Sequence, residues 1–395
     1  MDDRPFARVL AELGAELRPL LEFVTRSRYS ERMGDPAICD FVFGNPHEMP
    51  LQGITDALQR WAEPENKDWF AYKNNEEPAR AAVAASLRQA LDLPFEPDDV
   101  FLTPGTFGAL SVALRTVCDP GDEVIYLSPP WFFYGPMIRV AGAVPVRVDV
   151  APPAFDLDPA TIAAAITPRT RAIIVNSPNN PGGRVYSRED LEGVARVLAD
   201  ASERNGRAIY LLSDESYRRI LFDDRTFTSP AAVYPNTIVM YTYGKTLLAP
   251  GERVGYLALA PSMPSREALR DPVFLAQIVG GWQFPNATLQ YAIPELEELS
   301  VDVGALQRRR DRLVGSLREF GYDVIEPEGT FYIPVRSPVS NDYEFVELLG
   351  ARDVFVLAGA IFELPGWFRL SVTANDDMVE RSLPHFEAAL KEASA

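Results

Sequence analysis

The sequence predicts an α/β fold: a large domain with a mainly parallel sheet flanked by helices, and a smaller α+β domain from the two chain ends. From about residue 50 to residue 290, short apolar segments alternate with helical segments, as in βαβ units. After about residue 290, a long helix is followed by short strands. A chain of 395 residues is also longer than most chains that fold around a single hydrophobic core, which favours two domains.

These observations divide the chain into three predicted segments. We expect residues 1–45 to form an N-terminal arm and part of the small domain. Residues 46–290 are expected to form the large domain, and residues 291–395 the small C-terminal domain.

Residues 5–28 are predicted to form one amphipathic helix. Apolar residues recur at helical spacing, with charged residues between them. The apolar positions are Phe6, Val9, Leu10, Leu13, Leu17, Leu20 and Leu21. Pro46, Pro50 and the glycines nearby then break the chain.

Five apolar segments are predicted to be strands of the large sheet. They are rich in Val, Ile and Tyr and lack polar alternation, as expected of strands that are buried on both faces. The segments are Glu123–Leu127, Arg171–Val175, Ala208–Leu212, Ile238–Tyr241 and Gly255–Ala258.

A helix is predicted between the second and third of these strands, from Ser187 to about Asn205. Ser187 and Asp190 have the spacing of a helix start signal, and an apolar stripe follows them. Strand, helix and strand in this order form a βαβ unit, which makes the two strands parallel.

The C-terminal part of the chain is predicted to begin with a helix that carries a basic run at residues 307–310. This helix should end near Gly321, since glycine is the common residue after a helix C-terminus. Short strands are predicted at Asp323–Ile325 and Phe331–Val335.

The formal net charge of −18 argues against nucleic acid as a partner, because a negative field repels phosphate backbones. No apolar run reaches the roughly 18 residues of a membrane span. The polar start, residues 1–4, lacks the apolar core of a signal peptide, so a cytoplasmic location is expected. Two cysteines and two histidines make no metal-ligand cluster, and no metal site is expected.

Polar side chains follow three of the predicted strands. The turn at residues 176–183 follows the second strand, Asp214 and Tyr217 follow the third, and Lys245 follows the fourth. The carboxyl ends of parallel strands share one sheet edge, where ligands bind in open α/β folds. A buried carboxylate such as Asp214 also requires a positive partner.

Each of these segments has a simpler interpretation when it is taken alone. Asn, Pro and Gly favour turns by themselves, Asp214 has the position of a helix cap, and most lysines are solvated. Residues 244–246 match the end of a P-loop, but Val239 stands where that motif requires glycine. These separate interpretations do not explain why three predicted strands in succession are each followed by such polar residues.

A fourth segment, Gly105-Thr106-Phe107, opens a predicted helix. Free backbone N–H groups and the helix dipole make such a start a ready anion site, although glycine and threonine are common at helix starts.

In combination, these segments resemble fold-type I pyridoxal-phosphate enzymes of the aminotransferase class I and II family. The resemblance rests on the order strand-Asn-Pro, strand-Asp-x-x-Tyr and strand-Ser/Thr-x-x-Lys, with an arginine eight residues after the lysine. It extends from about Gly44 to Arg369. Residues 105–110, 134–137 and 244–246 look most like the kynurenine/glutamine transaminase branch.

The resemblance implies pyridoxal 5′-phosphate as cofactor and gives its ring four partners. Lys245 would carry the cofactor as a Schiff base and later transfer a proton. Asp214 would keep the pyridine nitrogen protonated, which makes the ring an electron sink. Asn180 and Tyr217 would hydrogen-bond the phenolic oxygen. The catalytic residues would be Lys245, Asp214 and Tyr217.

The resemblance also implies that Trp131 stacks on the ring, although a core tryptophan is the simpler interpretation of that residue alone. The phosphate would lie on the backbone of Gly105, Thr106 and Phe107. Thr242 and Arg253 would lie within reach of the phosphate.

The substrate side of the site is implied in the same way. Arg369 would bind the α-carboxylate as a bidentate fork, with Asn180 beside it, and Gly44 would leave room for that carboxylate. Tyr72 resembles a tyrosine that reaches the phosphate of a neighbouring subunit, which implies a homodimer with shared active sites.

Some residues depart from the family pattern. The stretch after Tyr72 lacks the usual glycine and Leu-Arg, which weakens the role given to that tyrosine. Some aspartate-specific relatives have a lysine at the position of Phe107, so an aromatic residue there favours an apolar or aromatic substrate.

The function implied is transfer of an amino group between an L-amino acid and a 2-oxo acid. A lyase, decarboxylase or oxidase reaction with the same cofactor is the alternative, since fold and cofactor do not decide the outcome. A cofactor-sensing DNA-binding regulator is disfavoured, because the chain is acidic and no helix-turn-helix precedes the motifs. A chance coincidence on another α/β enzyme would require four weak signals to align in family order.

Overall fold

The computed structural model describes residues 5–150 and 152–394, and its elements alternate as the sequence predicts. The strands are β1 (Cys39–Asp40), β2 (Val100–Thr103), β3 (Glu123–Ser128), β4 (Val144–Asp149), β5 (Thr170–Asn176), β6 (Tyr210–Asp214), β7 (Thr237–Thr242), β8 (Gly255–Leu259), β9 (Tyr332–Arg336), β10 (Val354–Phe355), β11 (Leu357–Ala358) and β12 (Trp367–Ser371).

The α-helices are α1 (Arg8–Glu16), α2 (Arg18–Arg26), α3 (Arg28–Arg32), α4 (Gln52–Ala62), α5 (Glu77–Leu91), α6 (Gly105–Val117), α7 (Tyr134–Val140), α8 (Pro159–Ala165), α9 (Arg188–Asn205), α10 (Tyr243–Thr246), α11 (Arg266–Val279), α12 (Ala287–Leu296), α13 (Val303–Phe320), α14 (Asp342–Gly350) and α15 (Asp376–Ala393). Short 3₁₀ turns lie at Pro97–Asp99, Pro230–Ala232, Pro250–Glu252 and Gly359–Phe362.

The large sheet has seven strands in the order β2-β8-β7-β6-β5-β3-β4. Five neighbouring strands are parallel to one another: β7, β6, β5, β3 and β4. Strand β8 is antiparallel to both of its neighbours, β7 and β2. The predicted fold class, a mainly parallel sheet flanked by helices, is therefore confirmed.

All five predicted strands of this sheet are present, and their predicted ends differ from the observed ones by at most two residues. The two strands that the sequence analysis missed, β2 and β4, form the edges of the sheet. β2 is only four residues long, and most residues of β4 are partly exposed. Neither therefore shows the long apolar run that marks a strand buried on both faces.

The N-terminal prediction was wrong in one respect, because residues 5–28 do not form a single helix. The structure has α1 and α2 in this segment, and α3 follows. Pro19 lies in the first turn of α2, where its missing N–H and its ring favour a new helix start over continuation of α1. Ser27 then caps α3 by accepting a hydrogen bond from the N–H of Ser30.

The predicted helix after Ser187 is confirmed as α9. The Ser187 hydroxyl and the Asp190 carboxylate form a capping box, and Gly206 ends the helix in the left-handed conformation with φ of 64°. Gly321 ends α13 in the same way, as predicted.

The smaller sheet is antiparallel, with the order β11-β12-β9. The predicted strand at Asp323–Ile325 was wrong, because only an isolated bridge forms there, between Val324 and Val335. Ile325 donates to the carbonyl of Pro334, but Pro334 has no N–H to return the bond.

A core around the smaller sheet contains residues from both chain ends, including Phe41, Leu313 and Phe386. This grouping fits the proposed division at residues 45 and 290, which stays a prediction. Among the residues that the structure describes, no helix is long and apolar enough to cross a membrane.

Candidate active site

A cavity lies where β5, β6 and β7 end, at the edge of the large sheet that the sequence analysis singled out. Eleven of the predicted site residues line it: Gly44, Thr106, Phe107, Trp131, Asn180, Asp214, Tyr217, Thr242, Lys245, Arg253 and Arg369. Gly105 lies directly behind Thr242 and Arg253, whereas Tyr72 lies elsewhere.

Asp214, the last residue of β6, is buried at the floor of this cavity. Its Oδ1 accepts hydrogen bonds of 2.6 Å from Ser216 Oγ and 3.2 Å from the Ser216 N–H, and its Oδ2 accepts one of 2.6 Å from the Tyr134 hydroxyl. Burial raises the pKa of Asp214 above its ordinary value, although these donors and the charge of Lys245 act against the rise.

Lys245 stands above this floor, in the short helix α10 that follows β7. Thr242 caps that helix, because its Oγ1 accepts a hydrogen bond of 3.3 Å from the N–H of Gly244. The Lys245 Nζ lies 5.7 Å from the ring centroid of Tyr217 and 5.6 Å from that of Phe331. Within residues 5–150 and 152–394, it has no hydrogen-bond or ion-pair partner.

Arg253 contributes a positive charge to the cavity lining, beside Thr242 and close to Gly105. Gly105 has φ of 72°, and a Cβ built on it would lie 2.9 Å from Arg253 Nη2 and 3.1 Å from Thr242 Oγ1. Arg253 donates to the carbonyls of Pro250, at 2.7 Å, and Pro104, at 3.1 Å, and it pairs with no carboxylate in the described part of the chain. Burial lowers its pKa. We call Gly105, Thr242 and Arg253 the cradle.

Arg369 projects from β12 and is buried, although its charge has no carboxylate partner in the part of the chain that the structure describes. It donates to Asn180 Oδ1 at 2.9 Å and to the carbonyl of Val42 at 3.1 Å, and its Nε has no partner among those residues. Its guanidinium carbon lies 3.8 Å from the ring centroid of Tyr332. Burial lowers the pKa of Arg369, although the hydroxyls of Tyr332 and Tyr217 act against this change.

Three functional candidates were missed in the sequence analysis: Tyr134, Ser216 and Tyr332. Ser216 had a local signal, because a serine two residues after an aspartate can close a turn onto its carboxylate. Tyr134 and Tyr332 reach the cavity only through tertiary packing. Burial acts to raise the pKa of Tyr332, but the charges of Lys245 and Arg369 outweigh it and leave that pKa lowered.

Gly44 lines the cavity, but the close packing of neighbouring side chains already accounts for a glycine here, without the need to leave room for a substrate carboxylate. A Cβ at this position would lie 2.3 Å from Cε2 of Phe331 and 3.0 Å from the Tyr332 hydroxyl. Tyr72 is 86% exposed and packs on Phe284, with 4.7 Å between ring centroids.

The sequence profile of the aminotransferase class I and II family matches residues 38–386. The chain belongs to this family. It is 35% identical over 325 residues to the aspartate/prephenate aminotransferase of Thermus thermophilus, covering 80% of this chain and 81% of the relative. It is also 32% identical over 319 residues to the aspartate aminotransferase of Thermotoga maritima, covering 78% and 80%.

Solved structures show the same fold. An aminotransferase from Eubacterium rectale has a TM-score of 0.90 at 29% identity and covers 99% of this chain and 100% of its own. The Thermus thermophilus aspartate aminotransferase with maleate has a TM-score of 0.82 at 28% identity, with coverage of 98% and 100%.

The protein is therefore an aminotransferase that moves an amino group between an amino acid and a 2-oxo acid, with pyridoxal phosphate as cofactor. The relatives named above are aminotransferases, so a lyase, decarboxylase or oxidase outcome is not favoured. The finer resemblance to the kynurenine/glutamine transaminase branch stays a prediction.

The cavity of this aminotransferase fits that cofactor chemically. Lys245 provides an amine that is unpaired within the described residues, Asp214 provides a buried carboxylate, and the cradle provides a cationic recess that a single Cβ would fill. No group of metal-ligating side chains occurs among the described residues.

Proposed function

We propose that this aminotransferase holds pyridoxal phosphate between Lys245, Asp214 and the cradle. The observation that supports this assignment is the separation of charge in one cavity. The cavity is lined by a buried carboxylate, by an amine that has no ion-pair partner among the described residues, and by a guanidinium that has no carboxylate partner among them. Aldehyde, pyridine nitrogen and phosphate are the three complementary groups of the cofactor.

Bound there, the cofactor withdraws electrons from the α-carbon of the amino acid. The chain's own residues control the protons. The Asp214 carboxylate, held by Tyr134 and Ser216, keeps a proton on the ring nitrogen by charge pairing. Lys245 would hold the cofactor through its amine, and that amine would carry the proton at the α-carbon.

Further contacts to the cofactor follow from the same arrangement. Asn180 and Tyr217, which line the cavity, are proposed to hydrogen-bond its phenolic oxygen, and Trp131, which also lines it, to stack on its ring. Thr106 is held by a contact of 2.8 Å between its Oγ1 and Ser216 Oγ, beside the cradle. Its backbone lies in the first turn of α6 with those of Gly105 and Phe107, and the N–H groups of this turn are proposed to bind the phosphate.

Arg369 is proposed to bind the α-carboxylate of the substrate. Its buried guanidinium already donates to neutral oxygens of Asn180 and Val42, so a carboxylate that enters supplies the missing charge. Gly44 lines the same cavity and is proposed to leave room for that carboxylate.

A homodimer with shared active sites is the proposed assembly. Tyr72 carries a ring that is 86% exposed and lies outside the cavity of its own chain. A tyrosine in this position can complete a site only if it reaches the cavity of a second subunit. We also propose a cytoplasmic location.

The role of Lys245 is tested by trapping the cofactor with borohydride, which makes its bond to an amine permanent. Digestion and mass spectrometry should find the added mass on Lys245 and none in Lys245→Ala. Lys391→Ala, whose amine pairs with Glu387 on the surface, should still trap the cofactor. Trapping at another lysine in the unmodified protein would refute the assignment.

The shared site is tested by mixing two defective variants, Lys245→Ala and Tyr72→Ala. If Tyr72 acts across the interface, a hybrid dimer contains one native site, so activity should return on mixing. If Tyr72 acts within its own chain, no site in the hybrid is native and mixing restores nothing.

A further inference from the structure

Residues 214–219 and 241–246 each present some side chains to the cavity and others to the protein interior. Asp214 and Tyr217 in the first segment, and Thr242 and Lys245 in the second, line the cavity. Five polar side chains of the same segments lie outside its lining: Arg218, Arg219, Tyr241, Tyr243 and Thr246. These five connect the two segments behind the cavity by two separate links.

The first link joins Arg219 to Tyr243 through Glu297, which follows α12. Arg219 forms an ion pair with the Glu297 carboxylate and donates, at 3.1 Å, to the Glu297 carbonyl. The Tyr243 hydroxyl donates to the other oxygen of that carboxylate. Burial and the charge of Glu297 raise the pKa of Tyr243 well above its ordinary value, so this hydroxyl stays a donor. Tyr243 lies two residues before Lys245, and Arg219 lies two residues after Tyr217.

The second link joins Arg218 to Thr246 through Tyr241. The guanidinium carbon of Arg218 lies 4.4 Å from the ring centroid of Tyr241, and the Tyr241 hydroxyl lies 2.5 Å from Thr246 Oγ1. Arg218 is itself fixed, because it donates to the Tyr256 hydroxyl at 2.6 Å. Thr246 directly follows Lys245, so the two links hold α10 before and after its lysine.

Stability alone does not account for these links. The side chains of Glu215, Arg218 and Glu297 are at most 4% exposed, and Glu215 pairs with Arg218 at 3.4 Å. Taking charges out of water is costly, and well-packed apolar side chains of the same volume are often at least as stable as a buried ion pair. A hydrogen-bonded network provides a defined geometry instead, because each bond requires a certain distance and angle.

We propose that the two links position Lys245 for the aminotransferase reaction, and that Tyr243 and Thr246, through which they act on α10, are positioning residues. The links hold α10 against the turn after β6, so the Lys245 amine keeps its place relative to Asp214. Groups that act on one cofactor must be placed to within about 0.5 Å. The inference rests on the proposed function, because it requires Lys245 to bond the cofactor that Asp214 also holds.

The test compares the binding of two cofactor forms to the cofactor-free protein by calorimetry. Pyridoxal phosphate bonds covalently to Lys245, whereas pyridoxamine phosphate has no aldehyde and binds only through the other residues of the site. Tyr243→Phe keeps the ring and removes the hydroxyl that binds Glu297. We expect the Kd for pyridoxal phosphate to rise about tenfold and the Kd for pyridoxamine phosphate to change less than about twofold.

A second variant and a control make the test independent of one substitution. Thr246→Val removes the hydroxyl of the second link and should show the same selective loss; if Tyr243→Phe does not fold, Thr246→Val alone decides by the same criterion. Tyr322→Phe is the matched control, since Tyr322 is also buried and its hydroxyl donates to the Phe386 carbonyl at 2.8 Å, in the core around the smaller sheet. It should lower Tm and change neither constant.

The outcomes separate this inference from the proposed function. An equal loss for both cofactor forms, or no loss for either, would overturn the inference, because a purely structural role does not distinguish them. In Lys245→Ala, adding Tyr243→Phe should no longer change the Kd for pyridoxal phosphate, and a loss that persists would also overturn it. Absence of borohydride trapping at Lys245 in the unmodified protein would refute the proposed function instead.

Discussion

The hydroxyl of Tyr134 donates a hydrogen bond of 2.6 Å to Oδ2 of Asp214, on the floor of the cavity. Ser216 holds the other carboxylate oxygen, so both oxygens of this buried side chain are fixed by uncharged donors. These donors stabilise the ionised form of Asp214, while burial destabilises it. The ionisation of Asp214, which the cofactor requires, therefore depends in part on Tyr134, the first residue of α7.

Tyr134→Phe should weaken cofactor binding without unfolding the protein. A hydrogen bond to a charged group contributes about 1.5–3 kcal/mol, so we expect roughly a tenfold or larger rise in the Kd for pyridoxal phosphate. Absorbance titration of the cofactor-free protein measures this constant. Tyr126→Phe is the control, because its hydroxyl donates to a carboxylate, Glu363, outside the cavity. An unchanged Kd in Tyr134→Phe would contradict the role.

Asp214→Asn should remove activity and yet leave the cofactor-free protein at least as stable at neutral pH. The pKa of Asp214 is raised in the folded protein, so the native state binds this proton more tightly than the unfolded chain does. Its contribution to stability is therefore full below its ordinary pKa and is lost as the pH rises through the raised pKa.

The measurement for Asp214→Asn is the free energy of unfolding in urea, at several pH values from about 4 upward, for both proteins without cofactor. The wild-type protein should lose stability relative to the variant as the pH rises, because asparagine does not titrate. A difference that changes in the opposite direction would show that the folded-state pKa is depressed.

The residues that local signals mark were predicted to lie together, and the structure brings them together. Asp214 and Lys245 each follow an apolar strand, and parallel strands bring their carboxyl ends to one edge whatever the details of packing. The inner strands of the large sheet could also be predicted, because a strand that is buried on both faces appears in the sequence as a continuous apolar run.

What could not be predicted depends on residues that are distant in sequence. Tyr134 reaches Asp214 across 80 positions of the chain, and Tyr332 reaches Arg369 from a neighbouring strand of the other sheet. The absent strand at Asp323–Ile325 has a similar cause. Val324 forms a bridge with Val335, but the next pair would join Ile325 to Pro334, which has no N–H to donate, and nothing in the segment itself reveals which residue it faces.

Arg369→Lys should raise KM for the amino acid more than it lowers kcat. Lysine keeps the charge but loses the planar fork, so at least one charge-assisted hydrogen bond of about 1.5–3 kcal/mol is lost, equivalent to roughly a tenfold or larger rise in KM. Cofactor affinity should not change. Arg336→Lys, on the adjoining strand β9 and exposed, is the control. A fall in kcat alone would contradict this assignment.

Gly105→Ala tests whether the cradle binds the phosphate. Gly206→Ala is the control, because it introduces the same backbone strain without filling the cavity. Both glycines have positive φ, 72° and 64°, so alanine costs about 1–2 kcal/mol of backbone strain at each. Only at Gly105 would the added Cβ meet Arg253 and Thr242, whereas Gly206 has open space around it. Both variants should therefore show a lower Tm, but only Gly105→Ala should lose affinity for pyridoxal phosphate and for inorganic phosphate. Equal phosphate affinity in the two variants would place the phosphate elsewhere in the cavity.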